Sequence, residues 1–298
     1  MSFKKSLKAK RVMSGFELLD VDNVCERYSR YIDGLTEGDT GFRLTCCAEA
    51  SPYARCFALF GFHLLCKKDK LENGADRWAS VIREDLDRVR HERTTAGVDL
   101  AFDKPYLQLL AFSLSAMAIL NKLDRDPLAD HVLPILSKDI EADLLQAGAF
   151  HGVAGSGNQA MFMAVLLLHA RDWLGIDDDD RISRWQALHL KAINMFGFWG
   201  DVRSMSHLQF QNGYHQYEIF HYLRSDLPLW DKVADHVASL ADHEGHFAPY
   251  PGGGGCYDYD AIFLITGASD ASIGKHRDLL MRTAETIIKE QNPDGGFC

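Results

Sequence analysis

The stretch LADHEGHFAPYPGGGGCYDYDAIFLI, residues 240–265, contains the pattern that decides the fold. A charged segment ends in the turn Glu244–Phe247, a glycine run follows at 252–255, and an apolar segment begins near Asp258. Glycine permits a positive φ just after a helix, and the aromatic residue that follows it can pack back between neighbouring helices. The stretch therefore predicts a turn that connects an exposed helix to a buried one.

Turns of this kind recur along the chain. They lie at Thr40–Phe42, Gly148–Phe150, Phe196–Phe198, Glu244–Phe247 and Asp294–Phe297. Each contains a glycine followed by an aromatic residue, and strand-like alternation of polar and apolar residues is nearly absent between them. Self-similarity at a fixed period indicates a repeat array, whose unit here is a pair of helices.

The two helices of each pair differ in composition. One kind is apolar almost all round, which is typical of a helix buried on every side. Helices of this kind are predicted to start near Tyr53, Tyr106, Asn158, Tyr214 and Asp258. The other kind is amphipathic and charged, as expected of an outer layer. Its members start near Ala75, Ala129, Ile182, Trp230 and Asp278, with an earlier one over 16–34.

Strict alternation of buried and exposed helices predicts an all-α fold, an (α/α)6 toroid in which an inner ring is covered by an outer one. Six outer and five inner helices are counted, and the sequence stops at KEQNPDGGFC, where the sixth inner helix would begin. Either the chain is truncated at Cys298 or the barrel closes imperfectly, and we expect truncation. Residues 1–298 are predicted to form a single domain, with residues 1–14 as a flexible basic tail.

Two of the quoted segments resemble a known superfamily. QNPDGGF (Gln291–Phe297) is similar to the repeated turn of the terpenoid cyclases and protein prenyltransferases, and ADHEGHF (Ala241–Phe247) is a degraded copy of it. Gly255-Cys256-Tyr257 resembles the prenyltransferase motif whose cysteine ligates zinc. Asp258-Tyr259-Asp260-Ala261 resembles the D-x-D-D motif of class II cyclases, which implies Asp260 as a protonating acid. Gly254 stands where the prenyltransferases have a zinc-binding acid, and Ala261 replaces the last acid of the cyclase motif.

The first turns of inner helices in a toroid share one end of the barrel, so we expect their polar side chains to line a common cavity with an apolar body. The predicted catalytic residues are Asp260, Asp258 and His215. The predicted substrate-binding residues are Tyr53, Tyr106, Gln108, Asn158, Gln159, Asn212, Tyr214 and Tyr250. Structural roles compete with these: Asp258, Asn158 and Asn212 also suit helix caps, and His215 also suits a hydrogen-bonded core position.

Three functions stay open at this stage. The first is an enzyme of the terpenoid-cyclase or prenyltransferase-like class, which carries out acid–base chemistry with Asp260 and Asp258 on a small substrate. The second is a carbohydrate-active toroid, a lyase, epimerase or hydrolase that uses His215 and Tyr214. The third is a binding or scaffold protein without catalysis.

No cofactor is predicted. A zinc site formed by Cys256, Asp258 and His246, or a magnesium ion, is the alternative. The expected partner is a small molecule, isoprenoid or carbohydrate-like. A net charge of −10 argues against a nucleic-acid surface, because phosphate binding requires clustered basic residues. The sequence leaves the oligomeric state open.

Location is predicted from the cysteines and the hydropathy. The seven cysteines are scattered and form no C-x-x-C pair, as expected of free thiols in a reducing cytoplasm. They are Cys25, Cys46, Cys47, Cys56, Cys66, Cys256 and Cys298. No apolar run reaches the length of a transmembrane helix.

Overall fold

A computed structural model describes residues 20–200, 203, 206–225, 227–250 and 254–297. This part of the chain contains fourteen α-helices and one two-stranded antiparallel hairpin, β1 (Thr36–Glu37) and β2 (Gly41–Phe42), so the predicted all-α class is confirmed. The predicted tail at 1–14 and Cys298 lie outside the described residues. The helices are α1 (Val21–Gly34), α2 (Pro52–Leu64), α3 (Lys68–Glu72), α4 (Ala75–Thr95), α5 (Lys104–Ile119), α6 (Ala129–Val132), α7 (Ile140–Gln146), α8 (Ser156–Leu174), α9 (Asp179–Ala192), α10 (His207–Tyr222), α11 (Trp230–Ala238), α12 (Cys256–Thr266), α13 (Asp270–Lys275) and α14 (Arg277–Lys289).

The helices predicted to be buried are α2, α5, α8, α10 and α12, and each packs against the next of the five. Local sequence fixes where they begin. Ser51 caps α2 by accepting a hydrogen bond from the Ala54 amide, and Asp103 caps α5 in the same way from the Tyr106 amide. The helix α8 buries residues on all sides along most of its length, as its apolar sequence predicts.

The amphipathic helices bury one face each. In α4, the buried residues Trp78, Ile82 and Leu86 follow at intervals of four, which places them on one side of the helix. The helix predicted from Ala129 is interrupted: α6 and α7 are separated by a 3-10 turn at Leu133–Ile135. Pro134 lies in that turn, and a proline both lacks the amide hydrogen and clashes with the preceding helical turn.

The turns at the ends of three outer helices have the same backbone hydrogen bonds. The amide of Asn194 donates to the carbonyl of Phe198 at 2.8 Å, Asp242 donates to His246 at 2.9 Å, and Asn292 donates to Gly296 at 2.8 Å. Each turn contains a glycine with φ between 84° and 97°, a region that favours glycine over other residues. These glycines are Gly197, Gly245 and Gly295.

Each of these turns contacts the outer helix that comes next. Gly197 lies against Val233 of α11, and Gly245 lies against Thr283 of α14. Gly295, in the last turn, lies against the backbone of Arg27 in α1. The Arg27 side chain also donates to the carbonyl of Asn292. The first and last described segments of the chain are therefore in contact, in the manner of two consecutive repeats.

The buried apolar residues form two clusters, and α8 contributes to both. Met163 and Leu167 belong to the cluster that includes α9 to α12, whereas Phe162 and Leu166 belong to the cluster that includes α2 to α6. One helix thus connects the two halves of the core. The single domain over residues 1–298 stays a prediction. No described helix has the combination of length and apolar composition that crossing a bilayer requires.

Candidate functional site

A cavity of about 560 Å³ lies between α5, α8 and α10. Most of its wall is apolar, because α5 and α8 present their hydrophobic sides to it. Phe112, Met161, Val165 and Ile219 belong to this apolar wall. The polar side chains Gln108, Asn158, Tyr214, His215 and Glu218 also line the cavity. An apolar cavity with a few converging polar groups is the usual form of a small-molecule site.

A lysine fixes the orientation of the polar groups. The Nζ of Lys104 lies 3.1 Å from Oδ1 of Asn158, and Nδ2 of Asn158 lies 2.8 Å from Nε2 of His215. A lysine ammonium can only donate hydrogen bonds, so its partner on Asn158 must be the carbonyl oxygen. The Asn158 amide nitrogen then donates to Nε2, and the single proton of the neutral imidazole is on Nδ1.

The protonated nitrogen of His215 faces a carboxylate. Nδ1 is buried and has no hydrogen-bond partner, and it lies 3.7 Å from Oε2 of Glu218. Tyr214 lies beside Glu218, and burial, followed by the charge of Glu218, raises the pKa of Tyr214. The Tyr214 hydroxyl therefore stays protonated next to the carboxylate. His215 thus has an unpaired N–H donor beside the carboxylate of Glu218.

Asp260 adds a second acid to this region. It is 3% exposed on α12, and burial, with a further contribution from the charge of Glu218, raises its pKa to about 8. Two nearby carboxylates in a poorly solvated region resist carrying two negative charges. Asp260 therefore keeps its proton at neutral pH.

Asp258, two residues earlier, belongs to a different cluster. Its Oδ2 lies 2.7 Å from Nδ1 of His246, and its Oδ1 accepts from the Phe247 amide at 2.9 Å. The Nε2 of His246 lies 3.0 Å from Oε1 of Glu290. Burial lowers the pKa of His246, but the hydrogen bond and charge of Asp258 outweigh it, so the pKa is raised. This cluster connects the turn after α11 to α12 and α14.

Several predicted site residues make hydrogen bonds that hold helices together. The Tyr106 hydroxyl is buried and lies 3.0 Å from Nδ1 of His131. Asn212 accepts from the Gly157 amide and donates to the carbonyl of Val153. These bonds connect neighbouring helices and loops, and neither residue lines the cavity.

The remaining predicted residues lie near helix beginnings or on the surface. Gln159 donates to the carbonyl of Ala101 at 2.7 Å, and the Tyr53 hydroxyl donates to the carbonyl of Pro105 at 2.6 Å. Tyr250 is exposed, with its ring beside that of Tyr257. The structure thus brings together Gln108, Asn158, Tyr214 and His215 at the cavity, with Asp260 close to Glu218.

The structure offers one cluster with metal-ligand spacing. Within the described residues, Asp87, Asp130 and His131 are the only three such side chains whose ligand atoms lie within 4.8 Å of one another. Arg83 hydrogen-bonds to Asp130, and a cation in that position competes with a metal. The predicted zinc ligands Cys256, Asp258 and His246 do not form a group of this kind, and a metal at their positions stays a prediction.

Glu218 and Lys104 were not among the predicted site residues. Glu218 is the only acidic residue in α10, whose sequence is HLQFQNGYHQYEIFHY. An isolated acid in an otherwise uncharged buried helix is a signal that the sequence contains. Lys104 carries no comparable signal, because its role depends on the distance between two different helices.

Comparison of the chain with protein-family models, with curated proteins and with solved structures returns no match. The geometry described above therefore carries the functional inference by itself.

Proposed function

We propose that the helices form a closed α/α toroid of the kind found in terpenoid cyclases and protein prenyltransferases. The contact of the last turn with α1 supports this, because it repeats the contacts that the two preceding turns make with α11 and α14. The inner helices would then be α2, α5, α8, α10 and α12, around the cavity. The resemblance of Gln291–Phe297 to the turn of that superfamily agrees with this arrangement.

We further propose that the protein is an enzyme that transfers a proton on a small, mainly apolar substrate. The observation that carries this proposal is the free Nδ1 of His215 beside the Glu218 carboxylate, in the wall of an otherwise apolar cavity. Nδ1 lies just behind the cavity surface, so the side chain of His215 must rotate slightly to bring it to the substrate. The neutral imidazole then donates a hydrogen bond to an oxygen of the substrate, and Glu218 accepts a proton from a neighbouring carbon. A carboxylate base paired with a neutral histidine donor is an established combination for this chemistry.

Each neighbouring group supports one requirement of the reaction. Lys104 and Asn158 hold the imidazole in the tautomer that has its proton on Nδ1. Tyr214 orients the carboxylate. Asp260, protonated at neutral pH, leaves one negative charge in the region rather than two. The reaction class is therefore that of an isomerase or a lyase acting beside a carbonyl or hydroxyl group.

The cavity wall favours an apolar substrate over a carbohydrate. A sugar requires hydrogen-bonding groups around most of its surface, whereas much of the wall consists of aromatic and aliphatic side chains such as Phe112, Phe162 and Leu168. Asp258, proposed from the sequence as a companion acid, has both carboxylate oxygens engaged by His246 and Phe247. We therefore assign proton transfer to Glu218 and His215, with Asp260 in support.

Deuterium exchange tests the assignment. The protein is incubated in D₂O with farnesal, an apolar unsaturated aldehyde whose acidic hydrogens lie on the γ carbons conjugated with the carbonyl. Deuterium uptake at these carbons is followed by mass spectrometry. We expect uptake above the buffer rate, and Glu218→Gln should reduce the enzymatic part by a factor on the order of 100 or more, because the base is lost while the shape is kept. Glu72→Gln, at an exposed position on α3, is the matched control and should exchange like the wild type.

Three results would contradict the assignment. Exchange in Glu218→Gln at the wild-type rate would exclude Glu218 as the base. Thermal stabilisation by cellobiose but not by farnesal would favour the carbohydrate-active alternative. Stabilisation by farnesal with no exchange above buffer would favour a binding protein.

A further inference from the structure

Two adjacent cysteines lie side by side on the surface, away from the cavity. The sulfur atoms of Cys46 and Cys47 are 3.6 Å apart, and both residues are exposed. Neighbouring side chains in an extended chain point to opposite sides. The close approach of the two thiols therefore requires the bent backbone of the loop that follows β2.

Hydrogen bonds hold this loop closed. The amide of Ser51 donates to the carbonyl of Phe42 at 3.0 Å, and the Ala48 amide donates to the carbonyl of Thr45 at 3.1 Å. The guanidinium of Arg43 donates to the carbonyl of Cys46 at 3.2 Å. Both ends of the loop and the backbone of one cysteine are thereby fixed, so the pair is arranged before any ligand arrives.

The distance between the two sulfur atoms is close to that found when two thiolates bind one ion. A disulfide bond requires about 2.05 Å between the two sulfurs. A tetrahedral ion that binds two thiolates at about 2.3 Å each holds the sulfurs about 3.8 Å apart, and pyramidal trivalent arsenic holds them somewhat closer. The observed 3.6 Å is close to the second value. The loop can therefore accept a bridging ion with little movement.

We propose that Cys46 and Cys47 form a two-thiolate site for a thiophilic metal or metalloid ion, with trivalent arsenic as the simplest probe. The site is independent of the cavity and of the proton-transfer function. Soft thiolate ligands select such ions over magnesium or calcium.

Binding of the ion displaces the protons of both thiols, so the affinity should increase as the pH rises.

Phenylarsine oxide is the probe for the experiment. Its arsenic forms two As–S bonds as the two S–H bonds break, and its oxygen leaves as water with the two thiol protons. Arsenic stays trivalent, so the reaction requires no oxidant or reductant. A single thiol can form only one such bond and releases the arsenical readily to a competing monothiol, whereas a chelating pair retains it.

The measurement is intact-protein mass spectrometry after treatment with one equivalent of phenylarsine oxide and excess 2-mercaptoethanol. We expect one retained phenylarsenic group per chain, removed by ethanedithiol. Cys46→Ser and Cys47→Ser should each lose the retained group, whereas Cys25→Ser, at an exposed single cysteine on α1, should keep it. The proposal is wrong if the wild type retains no group, or if the group persists in Cys46→Ser.

Discussion

Two histidines of this protein each lie between polar partners, and they differ in what remains free. His246 uses both ring nitrogens, one with Asp258 and one with Glu290. His215 uses only Nε2, and its Nδ1 is buried, unbonded and directed toward a carboxylate at the cavity. Both ring nitrogens of His246 have protein partners, whereas Nδ1 of His215 lacks a partner that a substrate can provide. The unpaired ring nitrogen at the cavity thus distinguishes His215 from His246 and makes it the candidate for contact with a substrate.

The two aspartates of the segment Asp258-Tyr259-Asp260 also differ in their hydrogen-bond partners. Asp258 accepts hydrogen bonds from two groups and connects α12 to the turn after α11. Asp260 is equally buried, but its pKa of about 8 keeps it protonated. Residues two positions apart in sequence therefore have different environments: Asp258 is hydrogen-bonded to His246 and Phe247, whereas burial and the charge of Glu218 raise the pKa of Asp260.

The largest expected effect on stability comes from a substitution in the cluster of Asp258, His246 and Glu290. Asp258→Ala leaves the buried His246 without its main counter-charge and the Phe247 amide without an acceptor. We expect the free energy of unfolding in urea to decrease by about 3 kcal/mol, since removal of one member of a buried charge pair has this order of cost. A loss below 1 kcal/mol would mean that Asp258 acts as no more than an ordinary helix cap.

Asp260→Asn should change the pH dependence of stability. A carboxyl with a folded-state pKa of about 8 and an unfolded value near 3.9 binds its proton more tightly in the folded protein. The wild type should therefore lose stability as the pH rises from about 4 to 8. Asparagine cannot ionise, so relative to the wild type the variant should be more stable at pH 9 than at pH 5.

Urea unfolding of both proteins at the two pH values measures this effect. His246, whose pKa is also raised, adds a loss of stability with rising pH in both proteins, and this cancels in the comparison. An equal difference between variant and wild type at pH 5 and pH 9 would contradict the protonated state of Asp260.

The smallest expected effect concerns Lys104. Lys104→Met removes the donor that fixes the Asn158 amide, so this amide can rotate and the imidazole of His215 should populate both tautomers. Stability should change by no more than about 0.5 kcal/mol, because the lysine is on the surface. The ¹⁵N shifts of labelled histidine report the tautomer directly, with His215→Gln to assign the signals.

Lys104→Arg, which keeps a cationic donor at the same position, is the control and should retain the wild-type shifts. Unchanged ¹⁵N shifts in Lys104→Met would show that Asn158 needs no help to orient His215.

Sequence patterns predicted the helical class and the order of buried and amphipathic helices, because both follow from periodicity. These patterns gave wrong predictions where the role of a residue depends on contacts with a distant part of the chain. The start of the fourth buried helix was predicted near Tyr214, but α10 begins at His207 and Gly213 lies within it. That glycine packs against the ring of Phe198, and a side chain would not fit there. Gly213 therefore allows close packing and does not interrupt α10.

The site was predictable only in part for the same reason. The cavity includes Gln108 and Asn158, which the pattern of polar first turns predicted, and also Tyr214 and His215. Tyr214 and His215 lie in the middle of α10, and Glu218 follows within a turn. A prediction based only on the first turns of helices therefore does not reach Glu218. Whether Asn158 caps a helix or orients a histidine depends on Lys104, which lies 54 residues away in sequence.

The contact between α1 and the last turn can form only after nearly the whole described chain has been synthesised. Arg27 and Asn292, which hydrogen-bond to one another, are 265 residues apart. At roughly 5 to 20 residues per second on the ribosome, the side of α1 that faces the last turn must wait about 13 to 50 s for that turn. During that interval the rings of Tyr28 and Tyr31, which contact Phe297 and Gly296 in the folded protein, are available to chaperones or to neighbouring nascent chains. Slower elongation should therefore lower the yield of folded protein, and a circular permutant that begins at α14 should be less sensitive to it.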